Sequence, residues 1–255
     1  MSGEIEKAKQ YHIGLKEGDV GKYVLLPGDP ARVSKIASYF DKAKKIAENR
    51  EYTTYTGEID GIKISATSTG IGCPSAAIAI EELIKVGANT FIRVGTAGSL
   101  QSEVQVGDVV IATGAVRQEG TSIQYVPPIY PAIPHPEVML ALKKAADRLN
   151  FRAHLGITHT KDAFYTEGNK ELPMAEIVEQ NWKIWERANV LCTSMEEAAL
   201  FIIGSIKKVR VGSILAIIGS TWNDSPIEKK VGIDESIQIA IEAIKILEKE
   251  KIFLK

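Results

Sequence analysis

The sequence predicts an α/β fold, a mainly parallel sheet sandwiched between helices. Three observations carry this expectation. Short apolar runs alternate with amphipathic segments from end to end. Several of those runs lack the polar alternation of a half-exposed strand, as strands covered on both faces do. Proline opens one helical segment at Pro74 and Gly87 follows it, the normal punctuation of a helix set between strands.

In chain order, Tyr23–Leu26, Ile62–Ser68, Thr90–Gly95, Asp108–Ala112, Leu155–Thr160, Val190–Thr193 and Ser213–Ile218 read as strands. Helices are expected over Pro30–Phe40, Pro74–Val86, Glu137–Asn150, Met174–Arg187, Met195–Ile206 and Asp234–Lys249. The last sets Ile237, Ala240, Ile241, Ile244 and Leu247 at helical spacing, with Asp234 as the expected N-cap. The second has Pro74 at its first position and Gly87 past its end. Five of the ten prolines fall within Pro127–Pro136, which excludes helix interior and central strand there and predicts an ordered loop. No internal repeat and no Gly/Ser linker interrupts the chain, so residues 1–255 are expected to form a single domain.

Composition narrows the function. With 31 basic and 32 acidic residues the formal charge is −1, which removes the electrostatic drive for non-specific nucleic-acid binding. No apolar run reaches membrane-spanning length, and the first twelve residues are too polar for a secretory signal. Cys73 and Cys192 make neither a disulfide framework nor a metal cluster. A cytoplasmic protein without nucleic-acid or membrane partners is the expectation.

Ligands in open α/β sheets gather beyond the carboxyl ends of strands, and three such ends here are rich in glycine. In Pro27-Gly28-Asp29-Pro30-Ala31-Arg32, Gly28 lets the backbone approach an anion, Asp29 caps the next helix and Arg32 adds a guanidinium. In Arg93-Val94-Gly95-Thr96-Ala97-Gly98, an arginine sits inside an apolar strand, where a charge needs a partner. Thr69-Gly70-Ile71-Gly72-Cys73-Pro74-Ser75 is a glycine turn entering a helix. Two arginines, a threonine hydroxyl and loop amides suit a tetrahedral oxyanion. Blander readings stand beside these: Arg32 as a solvated side chain, Arg93 paired to Glu81 or Glu82, and Cys73 as packing rather than an activated thiolate. His135, His154 and His159 lack metal-ligand spacing and read as surface or strand residues.

Taken together, the motifs acquire a specific order. His12-Ile13-Gly14-Leu15, the Pro27–Val33 loop, Asn49-Arg50-Glu51-Tyr52-Thr53-Thr54 and Ser68–Ser75 are followed by Phe91–Gly98, Asp162-Ala163-Phe164-Tyr165 and Ser194-Met195-Glu196-Glu197-Ala198. Over about residues 8 to 250 the chain resembles the nucleoside phosphorylase family, which contains the uridine phosphorylases and the hexameric purine nucleoside phosphorylases. The resemblance implies that family's single-domain α/β/α sandwich with a twisted, mainly parallel central mixed sheet. It implies no cofactor, with inorganic phosphate as co-substrate beside the nucleoside. It also implies a homo-oligomer, a hexamer built from dimers that share active sites.

Carried over by position, the resemblance gives Gly28, Arg32, Arg50, Arg93 and Thr96 to phosphate. It gives His12, Thr96, Met195 and Glu196 to ribose, with Arg93, Glu196 and His12 as the catalytic set. Arg50 and His12 are expected to reach in from a neighbouring subunit. Gly98, Phe164, Glu167 and Lys170 are the expected base contacts. The segment Tyr125–Ala132, the Phe164-Tyr165 pair and the helix with Trp182 and Trp185 resemble the uridine-cleaving branch. Where purine-cleaving relatives carry a proton-donating aspartate, this chain has Ser220, with Asp224 further along the loop. The glutamine and arginine that usually face uracil are absent from Thr166-Glu167-Gly168-Asn169-Lys170, and Ser194 replaces a frequent glutamate. Phosphate-dependent cleavage of uridine to uracil and ribose 1-phosphate is therefore expected, with purine nucleoside or methylthioadenosine cleavage as the alternative. A phosphate-independent nucleosidase would lack this arginine set, and a non-catalytic nucleoside sensor would not need it.

Overall fold

The computed structural model describes residues 9–220 and 231–250. It begins with β1 (Tyr23–Leu26) and α1 (Pro30–Ala37), then an antiparallel meander of β2 (Asp41–Asn49), β3 (Tyr52–Ile59) and β4 (Ile62–Thr67). Next come α2 (Cys73–Lys85), β5 (Thr90–Ser99), β6 (Val109–Gln118) and α3 (Pro136–Leu149). The remaining elements are β7 (Ala153–Lys161), α4 (Ala175–Arg187), β8 (Cys192–Ser194), α5 (Glu197–Lys207), β9 (Arg210–Ser220) and α6 (Ile233–Lys249).

The strands form one mixed sheet in the order β2-β3-β4-β1-β5-β8-β7-β6-β9, and β9 also pairs with β5. Strands β5, β8, β7, β6 and β9 therefore close a ring, from which β1, β4, β3 and β2 extend as an open wing. Helices cover both faces of β1, where the wing joins the ring. β1 shows why its sequence is a continuous apolar run: successive side chains point to opposite faces, and both faces are covered. Tyr23 and Leu25 pack with α1, α3 and α6, whereas Val24 and Leu26 pack with α2 and α5. Inside the ring lies a smaller apolar cluster that includes Ala97, Val110, Cys192, Leu215 and Ile217. Each fully buried aliphatic side chain contributes about 1.5–3 kcal/mol to holding these layers together.

The expected elements are present, most with small shifts at their ends; β5 and β6 run on well past Gly95 and Ala112, to Ser99 and Gln118, and the β2–β3 hairpin is an addition. β2 reads DKAKKIAEN and is exposed along nearly its whole length, so it carries no apolar run to mark it. Lysines on an edge strand also discourage pairing with other chains. Local caps explain where the helices start. Asp29 accepts a hydrogen bond from Ala31 N at 2.9 Å, with Pro30 in the first turn of α1, as expected. The start of α6 differs from expectation: its N-cap is Gly232, whose φ of +69° suits glycine. Asp234 lies in the first turn and ties α6 to α1 instead, accepting from Lys35 Nζ at 2.7 Å and from the Tyr39 hydroxyl at 2.9 Å. The Pro127–Pro136 segment is an ordered loop. Ala132 bridges to Ala115, and Arg117 donates to the carbonyls of Val126 and Pro127.

Candidate active site

The site begins where β1 and β5 run side by side in parallel. Leu26 is level with Arg93, so the Pro27–Pro30 turn lies just beyond the Arg93 side chain. A Cβ on Gly28 would stand 3.2 Å from the Gly70 carbonyl oxygen and 4.0 Å from Arg93 Nη1. The first and third glycine turns thus meet over the arginine. Gly95 is needed for a different reason: a Cβ there would come within 2.9 Å of Arg93 Cζ and 2.6 Å of Leu215 Cδ2. Without that side chain, the guanidinium can fold back along its own strand.

Arg93 is 4% exposed, and its partners are the two carboxylates at the start of α5. Its Nε donates to Glu197 Oε1 at 2.6 Å, and Nη2 pairs with Glu196. Ser194 donates to the other Glu197 oxygen, and Ser213 Oγ donates to Oε1 at 3.2 Å. Glu196 accepts from Gly72 N at 2.8 Å and from Met195 N at 3.2 Å. The alternative partners for Arg93 are engaged elsewhere. Glu82 accepts from His12 Nδ1 at 2.7 Å and from Ile13 N at 2.9 Å, and Glu81 pairs with Lys207 at 2.9 Å. One donor is left over: among the described residues, the buried Arg93 Nη1 meets no hydrogen-bonding partner. A buried donor without a partner is costly, so an anion at that point would satisfy it.

Arg32 brings a second guanidinium close to Arg93. Its Nη1 donates to the Val94 carbonyl at 3.2 Å, on the same strand as Arg93. Burial, and then the nearby Arg93 charge, pull the Arg32 guanidinium below its usual range. Arg93 itself is held above its usual range: burial opposes this, but Glu196 and Glu197 outweigh it. Burial pushes Glu196 above the ordinary carboxylate range, while Arg93 and Ser194 overcome burial to hold Glu197 below it. Glu197 is thus the fixed counter-ion, and Glu196 is the carboxylate with the weaker hold on its charge.

These groups border a cavity of about 950 Å³. Of the residues singled out from sequence, Gly28, Arg32, Arg93, Thr96 and Gly98 line it, together with Phe164, Glu167, Met195 and Glu196. Ser220 lines it too, whereas Asp224 lies outside the described residues. His12, Arg50 and Lys170 do not line this cavity. His12 and Arg50 lie close together, since Asn49 Nδ2 donates to the His12 carbonyl at 2.7 Å. Arg50 is exposed on the β2–β3 turn. No residue of the Pro127–Pro136 loop lines the cavity either.

Lys161 also lines the cavity, and sequence reasoning missed it. It ends β7, is 8% exposed and pairs with Glu167. Its Nζ lies 5.4 Å from the centre of the Phe164 ring and 5.1 Å from that of Trp182. Burial pulls the ammonium down to about 8. The signal in the sequence was a lysine closing a strand of otherwise uncharged residues. His159, two residues earlier, is one of the strand residues expected and is buried in β7, and burial together with Lys161 pulls it down to about 4. Its Nε2 contacts Gln118 Oε1 at 2.7 Å and its Nδ1 contacts Thr193 Oγ1 at 3.1 Å. Cys73 is packing: its Sγ donates to the Met195 carbonyl at 3.3 Å, and burial pushes the thiol further from thiolate.

Comparison with known proteins follows the same outline. The sequence pattern that defines the phosphorylase superfamily matches residues 22–249, from β1 through α6. The chain belongs to the phosphorylase superfamily. Among its superfamily relatives is a uridine phosphorylase of Treponema pallidum, 46% identical over 242 residues, which are 93% of this chain and 94% of that protein. A uridine phosphorylase of Thermococcus kodakarensis is 46% identical over 247 residues, covering 96% of this chain and 88% of the relative. A guanosine phosphorylase of Halorubrum lacusprofundi is 39% identical over 250 residues, covering 94% of this chain and all of that one.

Proposed function

We propose that this superfamily member is a uridine phosphorylase, which uses inorganic phosphate to cleave uridine into uracil and ribose 1-phosphate. The observation that carries the reading is the uncommitted, buried Arg93 Nη1 beside Arg32 and the Gly28 turn, next to Glu196. The relatives at 46% identity that are named uridine phosphorylases support the choice of base.

In this reading phosphate sits between Arg32 and Arg93, with Gly28 and Thr96 completing its cradle. Forked guanidinium donors suit its oxygens and orient it. Met195 and Glu196 hold the ribose, and a Glu196 lone pair accepts from the sugar hydroxyls. Three contacts to Arg93, Gly72 and Met195 leave the carboxylate that capacity. A phosphate oxygen forms the new bond to C1′ as the bond to the base nitrogen breaks, and its electron pair leaves with the base. Over the whole reaction hydrogen phosphate loses one proton and uracil gains one. No enzyme nucleophile is required; positioning and electrostatic stabilisation of separating charge supply the catalysis. Gly98, Phe164, Glu167 and Lys170 were expected at the base, and the first three lie on the cavity wall.

The oligomer belongs to the same proposal. His12 and Arg50 stand together outside their own cavity, as residues that serve a neighbouring subunit would. Ile177 and Ile184 of α4 are 49% and 52% exposed, leaving apolar surface for such contacts. A hexamer of dimers with shared sites, in the cytoplasm, with each chain a single domain, completes the reading. Among the described residues no helix is long and apolar enough to cross a membrane. The deciding experiment measures uracil release from uridine with and without phosphate. Release that proceeds equally without phosphate rules out the phosphorylase reading.

A further inference from the structure

We infer that Lys161 and Glu167 together read the base, as a hydrogen-bond donor beside an acceptor matched to a ring carbonyl next to a ring N–H. The inference rests on the reading that this cavity holds a nucleoside, and it names the class accepted. Bases with an oxo–N–H edge enter, namely uracil and the 6-oxopurines; bases with an amino group beside an unprotonated ring nitrogen are turned away.

Three observations support the assignment. The first is position. Thr160 of β7 is level with Ser194 of β8, so Lys161 and Met195 are the next residues along two adjacent parallel strands. Lys161 therefore stands beside the segment proposed to hold the sugar. The second is chemistry. An ammonium can only donate and a carboxylate can only accept, so the pair has a fixed polarity that an amide, which does both, would not impose. The third is the setting. Lys161 is 8% exposed, flanked by the rings of Phe164 and Trp182, and its Glu167 partner faces the same cavity. A buried ammonium placed in a substrate cavity costs stability, which a role for its charge would explain.

The geometry of a pyrimidine makes the polarity selective. Whether Lys161 meets O2 or O4, Glu167 faces ring position 3. Uracil carries N3–H there and satisfies the carboxylate; cytosine presents a lone pair, so two acceptors collide. With C1′ held at the phosphate, the base cannot slide by one atom to escape. The 6-oxopurines present N1–H beside O6, the same order, and the cavity of about 950 Å³ has room for the larger ring. As the glycosidic bond breaks, its electron pair spreads onto the base oxygens. Lys161 then donates to an oxygen that is becoming an anion, a contact that strengthens in the transition state.

The test measures phosphate-dependent kcat/KM of the full-length enzyme for uridine, 3-methyluridine, cytidine, inosine and adenosine. 3-Methyluridine needs no variant: it keeps both carbonyls and loses only the N–H. We expect 3-methyluridine and cytidine to fall about 100-fold or more below uridine, as sites that leave a buried polar group unmatched discriminate strongly. Inosine should be cleaved and adenosine spared. Lys161→Met should lower kcat/KM for uridine about 100-fold, chiefly through kcat, and Glu167→Gln should shrink the uridine-to-cytidine ratio at least tenfold. 3-Methyluridine cleaved within about threefold of uridine would overturn the inference, whatever the variants do. If uridine turns over and both variants keep the wild-type ratios, the base-reading pair is wrong and the uridine assignment stands. If uridine is untouched while inosine is cleaved and adenosine spared, the uridine assignment fails, and the pair stands only if Glu167→Gln shrinks the inosine-to-adenosine ratio at least tenfold.

Discussion

Arg93 Nε lies 2.6 Å from Oε1 of Glu197, and both side chains are closed off from solvent. Glu197 receives further hydrogen bonds from Ser194 and Ser213, so it is held from β8, β5 and β9 at once. This carboxylate faces away from the role proposed for Glu196 and fixes the arginine instead. Removing one partner of a buried pair leaves the other charge stranded, at a cost of about 3–5 kcal/mol. Glu197→Ala should therefore lose about that much in a urea titration, and Glu197→Gln, which keeps part of the hydrogen bonding, should lose less. An alanine variant as stable as wild type would show that Glu196 holds Arg93 by itself.

Arg32 has a different character. It is partly exposed, makes one backbone hydrogen bond, and its guanidinium is pulled down by burial and by Arg93. Removing it relieves repulsion between two cations while taking away a donor proposed to hold phosphate. Arg32→Ala should thus fold normally and raise KM for phosphate by about 10- to 150-fold, the range of one charge-assisted hydrogen bond of about 1.5–3 kcal/mol. Initial rates against phosphate concentration at saturating uridine measure it, and an unchanged KM would place the anion elsewhere.

Much of this arrangement was legible in the sequence because it depends on local rules. Gly28-Asp29-Pro30 announces a turn and a helix start, and a lone arginine in an apolar strand announces a charge that must be matched. The partners of Arg93 were not legible: Glu81 and Glu82 lie nearer in sequence, but the pairing of β5 with β8 and β9 delivers Glu196 and Glu197. Chain pairing across a hundred residues leaves no periodicity to read. β2 was invisible for a related reason, since an exposed edge strand has no apolar face to declare it. Lys161 was not legible, because a strand-ending lysine is usually solvated. Only the packing of Phe164 and Trp182 around it shows that this one is not.

A shared site makes a prediction about mixtures. Arg50 is exposed on its own subunit and outside its own cavity, whereas Glu196 lines that cavity. If Arg50 serves a neighbour, Arg50→Ala and Glu196→Ala are each inactive as pure oligomers. Reassembled together, they should regain activity, because a site pairing Arg50 from one chain with Glu196 from another is intact. In a dimer unit mixed at random, about a quarter of all sites are expected to be whole. Recovery is read by uracil release after co-refolding. No recovery in oligomers shown to be mixed would confine both residues to one chain's site.

The proposed base contact gives a pH dependence. Burial pulls Lys161 down to about 8, so its charge disappears as pH rises through that value. The cation that meets the departing base is then lost, and kcat should fall on the alkaline side. Lys161→Arg keeps its charge at any accessible pH and should move that limb upward. Ionisation of the substrate itself is common to both enzymes, so the comparison isolates the side chain. Coincident alkaline limbs would show that Lys161 does not control it.

His159 makes part of the stability acid-sensitive. Burial first, and the Lys161 charge second, pull it from the usual 6.5 down to about 4, so the folded protein keeps it neutral where the unfolded chain takes up a proton. Above pH 6.5 neither state binds that proton and the full stability is present. As pH falls from 6.5 towards 4 the unfolded state gains, at about 1.4 kcal/mol per pH unit, for a total of about 3 kcal/mol. His159→Gln retains a side chain able to hydrogen-bond to Gln118 or Thr193 and has nothing to titrate there. Measured by urea unfolding at pH 7 and pH 4.5, the variant should be the less stable protein at neutral pH yet lose less on acidification. Equal losses in both proteins would mean that His159 is not the group that opposes protonation of the fold.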